Sequence, residues 1–151
     1  MKVEEWSGTY ASEVATWHYE APWDFYDLAS DPEDAAAIRD PDRAGHYRAV
    51  LDDKGRLDAF WYFDWHGDVV EIGIGLRPDL TSQRRGESFL RAQLEYASRR
   101  WQPATFRLFV AAWNERAMRL YQRLGFIDVG RETRSFELVG RHEFVRMERA
   151  A

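Results

Sequence analysis

The stretch VVEIGIGLRPDLTSQRRGESFLRAQL, residues 69–94, decides the fold. In its first eight residues, large apolar side chains alternate with small or charged ones, which predicts a strand buried on one face and nearly bare on the other. The apolar positions are Val70, Ile72, Ile74 and Leu76. Gly86 then opens an amphipathic helix that carries apolar residues at helical spacing, namely Leu90, Leu94, Ala97 and Trp101. The stretch is therefore strand, loop and helix, and the unpaired N–H groups at the start of the helix favour anion binding in the loop.

Two standard phosphate-binding motifs do not fit this loop. The pattern GxxxxGK[ST] is absent from the sequence. Gly73-x-Gly75 resembles the start of a dinucleotide fingerprint, but Pro78 stands where the third glycine belongs, and both glycines lie inside the strand. The loop therefore calls for a different anion-binding pattern.

Two motifs in the right order resemble the GNAT superfamily of N-acetyltransferases. Gln83-x-x-Gly86-x-Ser88 is similar to its pyrophosphate loop, Q/R-x-x-G-x-G/A. A buried strand follows at 106–112, and NERAMRLYQRLGF, residues 114–126, is similar to the signature N-x-x-A-x-x-L-Y-x-x-x-G-F. The resemblance is good over roughly 47–148 and loose over the first forty-odd residues.

The residues alone predict an α+β domain, and the resemblance implies a more specific architecture. The implied architecture is an α/β (α+β) fold with a mixed, mainly antiparallel sheet of six to seven strands flanked by about four helices. The implied order is β-α-α-β-β-β-α-β-α-β-β, with a splay between the fourth and fifth strands. Length favours one domain over residues 1–151.

Local patterns place the remaining elements. We expect the first strand at Glu13–Tyr19, and Pro22 with the neighbouring aromatic residues predicts a turn into a short helix. The other predicted elements are a helix from Pro32 to Arg39, strands at 46–51 and 57–65, a helix capped by Asn114 and Gly125, and a last hairpin with strands at 127–138 and 142–148.

Charge is uneven along the chain. Residues 1–80 hold 18 Asp or Glu against 7 Lys or Arg, whereas residues 81–151 hold 8 against 14. The basic second half suits a polyanionic cofactor such as coenzyme A, and the acidic first half suits a cationic amine. The net charge of −5 disfavours nucleic acid as a partner.

Composition narrows the chemistry and the compartment. There are no cysteines, so a cysteine nucleophile and disulfides are excluded. The start MKVEEWSG lacks the apolar run of a signal peptide, and no long apolar stretch favours a membrane partner. We expect a cytoplasmic protein, monomer or homodimer, without a metal site.

The resemblance implies acetyl-CoA as cofactor and assigns residues to it. The backbone of the fourth strand would bind the pantetheine arm, the loop would bind the pyrophosphate, and Asn114 would contact the coenzyme or serve only as a helix cap. The implied cofactor-binding residues are Ile74, Gly75, Leu76, Gln83, Arg84, Arg85, Gly86, Glu87, Ser88 and Asn114.

Acetyl transfer to an amine also needs a general acid and a general base. The resemblance assigns Tyr121 as the acid that protonates the departing thiolate, and packing is its alternative role. Glu71, on the same strand face as Gly73 and Gly75, is the candidate base, because partial burial can raise a carboxyl pKa enough for it to accept an amine proton. A salt-bridged or edge-exposed glutamate is an equal alternative. Other possible bases, Asp24, Asp64 and His18, have no spacing that favours them.

The loop departs from the superfamily pattern. Ser82 and Arg84 stand where glycine is common, and Ser88 replaces the final glycine or alanine. Two functions therefore stay open: transfer of an acetyl group to a primary amine of a small molecule or protein, and a degenerate domain that binds acyl-CoA or a partner protein without transfer.

Overall fold

A computed structural model describes residues 1–81 and 83–151. Seven strands form one sheet in the order β1-β2-β3-β4-β5-β7-β6. They are β1 (Lys2–Glu5), β2 (Tyr47–Leu51), β3 (Leu57–His66), β4 (Val69–Leu76), β5 (Thr105–Ala111), β6 (Ile127–Phe136) and β7 (Gly140–Ala150). The sheet is mixed, since β4 and β5 are parallel while β1–β2, β2–β3 and β5–β7 are antiparallel. This confirms the predicted fold class.

The predicted helices are present, and two further helices, at Gly8–Val14 and Pro78–Thr81, were not predicted. They are α1 (Gly8–Val14), α2 (Pro32–Arg39), α3 (Pro78–Thr81), α4 (Gly86–Trp101) and α5 (Glu115–Arg123). Short 3-10 helices span Trp23–Tyr26, Leu28–Ser30 and Pro41–His46. Asp31 caps α2 by accepting hydrogen bonds from the N–H groups of Glu33 and Asp34. Pro22 follows a cis peptide bond, at the turn expected there.

The position of the first strand was predicted wrongly. The expected strand was Glu13–Tyr19, but its first two residues belong to helix α1 and its other five form no strand, whereas β1 lies earlier, at Lys2–Glu5. Ala11 and Val14 are both buried, and their spacing of three residues is that of a helix face. β1 has only Val3 as an apolar residue, so its sequence carries almost no strand period.

The chain divides into two compact units. The first comprises Met1–Tyr62, Ile74–Gln83 and Phe136–Gly140. Its core is an aromatic cluster in which Phe60 lies 5.9 Å from Trp6 and 6.3 Å from Trp17 between ring centroids. The indole N–H of Trp6 donates to the carbonyl of Ile38 at 2.9 Å, which ties this cluster to α2.

The second unit comprises Phe63–Gly73, Arg84–Ser135 and Arg141–Ala151. Its buried apolar residues come mainly from the strands and from one face of α4, and they include Phe63, Val70, Ile72, Phe89, Leu90, Leu94, Ala97, Phe106, Leu108, Val110 and Met147. Trp101 at the end of α4 packs edge-on against Phe63, with ring centroids 4.8 Å apart. Among the helices of residues 1–81 and 83–151, none is long and apolar enough to cross a membrane.

Candidate functional site

Within the second unit, as far as it is described, strands β4 and β5 are paired over three residues. Val69 pairs with Thr105, Val70 with Phe106, and Glu71 with Arg107, while in the same unit β4 continues to Gly73 and β5 to Ala111. Beyond Glu71 the two strands therefore part. Backbone groups that lose their ladder partners in this way are available to another partner, and parted parallel strands are the feature that the resemblance implies.

Glu71 is the last paired residue of β4 before the strands part. Its side chain is 24% exposed. Burial raises the pKa of its carboxyl above the usual value, and the positive charges of Arg134, His66 and Arg107 partly offset this rise. The carboxyl of Glu71 therefore binds a proton more readily than an exposed glutamate does, and its role as general base stays a prediction.

Two side chains at the end of β3 accompany Glu71. The His66 Nε2 atom lies 3.2 Å from an Asp64 carboxylate oxygen and 4.0 Å from a Glu71 carboxylate oxygen. His66 was not singled out by sequence reasoning. A signal existed, because a tight turn at Gly67-Asp68 places residues 64, 66 and 71 on one face of a hairpin.

A buried glutamine fixes β4 where it leaves β5. The side chain of Gln93 is fully buried, and its Nε2 donates to the carbonyl of Gly73 at 2.9 Å. The sequence held a hint of this role, since Gln93 is polar on the face of α4 that carries Leu90, Leu94 and Ala97. A polar residue on a buried face needs a hydrogen-bond partner, and here the partner is the strand backbone.

The loop before α4 exposes cations beside a helix N-terminus. Arg84 and Arg85 are exposed, and the first helical N–H bond runs from Phe89 to the carbonyl of Arg85. The N–H groups of Gly86, Glu87 and Ser88 precede it and have no acceptor within the helix. The residues therefore fit a pyrophosphate group by donor chemistry and by charge.

Side chains of the loop and of the first turn of α4 also contact other protein groups. The Ser88 hydroxyl donates to the carbonyl of Arg85 at 2.9 Å, and the Arg85 guanidinium lies 5.2 Å from the ring centre of Phe89. The Glu87 carboxylate lies 3.8 Å from Arg91 and 3.5 Å from Arg123. If Glu87 binds the pyrophosphate as predicted, it does so through its N–H group, because its side chain faces arginines of α4 and α5.

Arg84, which stands where glycine is common in the superfamily, has a positive backbone φ angle. Its φ is +54°, in the left-handed region that favours glycine. Ser82, the other departure singled out there, lies outside the described residues.

The predicted strand residues of the first unit are Ile74, Gly75 and Leu76, all half-buried. A Cβ atom at Gly75 would lie 2.1 Å from the Cε1 atom of Phe60. At this position the bare strand face is therefore occupied by a ring of the same unit. Gln83, also in this unit, is exposed.

Tyr19, the last residue of the segment predicted as the first strand, holds the end of β4. The Tyr19 hydroxyl donates to the carbonyl of Leu76 at 2.6 Å, and the Tyr19 N–H donates to Asp27 at 3.0 Å. Burial raises the pKa of Tyr19, so its phenol stays protonated and remains a donor. Tyr19 thereby positions the last residue of the strand.

Asn114 and Tyr121 belong to α5 and its cap. The side-chain oxygen of Asn114 accepts a hydrogen bond from the N–H of Ala117 at 3.2 Å, which confirms the predicted cap. Asn114 is buried, and Tyr121 is half-buried with its ring 6.2 Å from that of Phe126. The cap and the packing contact are thus present, and the assignment of these residues to a coenzyme stays a prediction.

Comparison with known families gives one match. The model of the family described as "Acetyltransferase (GNAT) family" matches residues 2–126. A search of curated proteins by sequence finds no match.

Solved structures with a similar fold cover nearly the whole chain. A chimera of the Vibrio cholerae spermidine N-acetyltransferase SpeG and hSSAT has a TM-score of 0.72 at 18% identity, covering 99% of this chain and 96% of that one. The Vibrio cholerae spermidine N-acetyltransferase in complex with CoA and spermine has a TM-score of 0.71 at 17% identity, covering 99% and 94%. An acetyltransferase (GNAT family) from Bacillus anthracis has a TM-score of 0.76 at 12% identity, covering 98% and 93%. At these identities the likeness is one of fold.

Proposed function

The chain belongs to the GNAT family of acetyltransferases, and on that basis we propose that it transfers an acetyl group from acetyl-CoA to a primary amine of a small cationic molecule. Membership of this family makes it an acetyl-CoA-dependent N-acetyltransferase. The acceptor and the residue roles are the proposal.

The observation that carries the residue roles is the half-buried Glu71 at the point where β4 parts from β5. A protonated amine cannot attack a thioester, so the acceptor must first lose a proton. Glu71 would take that proton, since its raised pKa makes it a stronger base than an exposed glutamate. The neutral nitrogen then forms a bond to the acetyl carbon while the bond from that carbon to sulfur breaks.

Tyr121 is proposed as the group that donates a proton to the departing sulfur. The hydroxyl of a tyrosine can donate a hydrogen bond to a thiolate or protonate it fully. Asn114 at the start of the same helix would bind the coenzyme as well as cap α5.

The remaining roles concern binding. Acetyl-CoA supplies the acetyl group when bound, and the backbone of Ile74, Gly75 and Leu76 would hydrogen-bond its pantetheine arm. The N–H groups of Gly86, Glu87 and Ser88 would bind its pyrophosphate. Three exposed side chains would assist them: Gln83, Arg84 and Arg85.

Charge favours a cationic acceptor. Residues 3–38 include nine Asp or Glu and no Lys or Arg. Such a segment concentrates cations around it by its field. Among proteins of this fold, SpeG from Vibrio cholerae is named for spermidine and has been seen with spermine, so di- and polyamines are the first class to test. A cytoplasmic location, and a monomer or homodimer without nucleic-acid or membrane partners, stay predictions.

One observation favours the second candidate, a domain that binds acyl-CoA without transfer. Arg84 holds a strained backbone conformation in the loop where glycine is common in the superfamily. A loop altered in this way could bind the coenzyme in a position unsuited to reaction.

An acceptor panel decides between the two. Thiol release from acetyl-CoA would be followed with spermidine, a short diamine, a free amino acid and a peptide with a free N-terminus, and each product would be checked by mass for one added acetyl group. We expect turnover with the polycationic amines above all. Acetyl-CoA binding without release for any amine would favour the non-transferring domain.

A tyrosine variant tests the proposed acid. Tyr121→Phe should lower kcat by about 100-fold, the lower end of what a general acid contributes. Tyr96→Phe is the matched control, because Tyr96 lies in the second unit and packs against Phe63 and Trp101. Unchanged turnover of the Tyr121 variant would remove this residue from the mechanism.

A further inference from the structure

The proposed reaction, on which this inference rests, releases one proton for each acetyl group transferred. An ammonium acceptor loses two protons on becoming an amide; one offsets the proton that the general acid gives to the thiolate, and the other must leave the site. After each turnover the acid must be reprotonated and the base must lose the acceptor's proton. A half-buried base therefore needs an outlet to solvent.

Three polar side chains of the second unit form a path of rising exposure. Glu71 is 24% exposed, Asp64 31% and His66 50%. His66 ends β3 and Glu71 lies on β4, joined by the turn at Gly67-Asp68. The imidazole Nε2 atom lies 3.2 Å from an Asp64 carboxylate oxygen and 4.0 Å from a Glu71 carboxylate oxygen, so this nitrogen is close to both carboxylates.

We propose that His66 takes the acceptor's proton from Glu71 and passes it to solvent. In this step the O–H bond of protonated Glu71 breaks, an N–H bond forms at Nε2, and Glu71 returns to its carboxylate form. The imidazolium is then held between the two carboxylates until water removes its proton. His66 is a positioning residue for the proton and does not touch the reacting atoms.

Other charged groups near Glu71 are poorly suited to this role. Arg134 and Arg107 act on Glu71 by charge, but a guanidinium stays protonated and cannot accept a proton. Arg107 is also bound to Glu148 at 2.7 Å. Carboxylates are in general weaker bases than imidazoles, so Asp64 suits this role less well than His66.

The test is chemical rescue of His66→Ala by free imidazole, in a buffer without other small bases. We expect kcat to fall about tenfold, less than on loss of a direct base, and added imidazole to restore most of it. His66→Gln fills the same site without a titratable group, so it should lose activity equally and resist rescue. His142→Ala, in the same unit, is the control and should retain the wild-type kcat with or without imidazole.

Each outcome is decisive. An unchanged kcat for both His66 variants, or a loss that imidazole does not restore in the alanine variant, would overturn the relay while leaving the acetyltransferase proposal intact. If the wild-type protein turned over no amine at all, the proposed function and the relay would both be wrong. Rescue confined to His66→Ala supports the relay, because a purely structural defect is not repaired by a soluble base.

Discussion

Glu71 is the residue at which stability and activity are expected to oppose each other. Because its folded-state pKa is raised, the folded protein binds a proton at this site more tightly than the unfolded chain does. The stabilisation from that proton is complete below the unfolded pKa of about 4.3 and is lost as pH rises through the folded value. Above that value the buried carboxylate destabilises the fold relative to a neutral group.

The corresponding variant is Glu71→Gln. We expect its melting temperature to exceed that of the wild type at about pH 7.5 and the difference to shrink as the pH falls toward about 4, while kcat/KM falls about 100-fold or more. Glu148→Gln is the matched control, since Glu148 is 25% exposed on β7 but bound to Arg107, and its loss should not stabilise the protein. A lower melting temperature for Glu71→Gln near neutral pH would contradict this account.

For single residues, the sequence predicted where a residue lies along its element better than it predicted which other residues it contacts. Glu71 and the cap at Asn114 were found by position along an element, which is local information. The ring of Phe60 against Gly75 was not, because that contact joins residues fifteen apart in the chain and depends on how β3 and β4 lie in the first unit. His66 was missed although its signal was local: the turn at Gly67-Asp68 brings it toward Glu71, but no motif marks it.

Two strained residues of the same kind flank helix α4. Arg84 lies two residues before it and Gln102 directly follows it, with φ values of +54° and +48°. Both conformations suit glycine better than a residue with a Cβ atom. Only Arg84 lies beside the proposed pyrophosphate site.

The paired glycine variants separate strain from binding. Arg84→Gly and Gln102→Gly should each stabilise the protein by up to about 1 kcal/mol, since relief of strain exceeds the entropy that glycine adds to the unfolded chain. Only Arg84→Gly should weaken acetyl-CoA binding, by about tenfold and less so at high salt. Calorimetric titration and denaturant melts measure both effects. Tighter binding by Arg84→Gly would mean that Arg84 obstructs the site.

Helices and strands with a regular spacing of apolar residues or with clear capping residues were predictable, whereas short elements without these features were not. α4, α5 and β4 lie where their apolar spacing and capping residues place them. β1 was misplaced because a four-residue edge strand with one apolar residue carries almost no signal, and the aromatic residues of 17–19 resembled a strand more than β1 did. Pro78 and Asp79 were expected to end the strand ahead of a loop that begins at Thr81, but Pro78–Thr81 forms the short helix α3, which begins with proline.

The whole molecule is acidic but its charge is divided, with a basic second half that carries the loop and α5. A polyanion such as acetyl-CoA would be attracted to that half, and binding would weaken as salt rises. Membership of the GNAT family identifies acetyl-CoA as the cofactor. Every residue role proposed here depends on the binding of acetyl-CoA.

The most direct measurement is the melting temperature with and without saturating acetyl-CoA, with free CoA and ATP as controls. At about 100 times its dissociation constant a ligand adds about 2.7 kcal/mol, which for a chain of this length raises the melting temperature by several degrees. We predict such a rise with acetyl-CoA and with CoA, and a far smaller one with ATP. No rise with either form of the coenzyme, or an equal rise with ATP, would contradict the account.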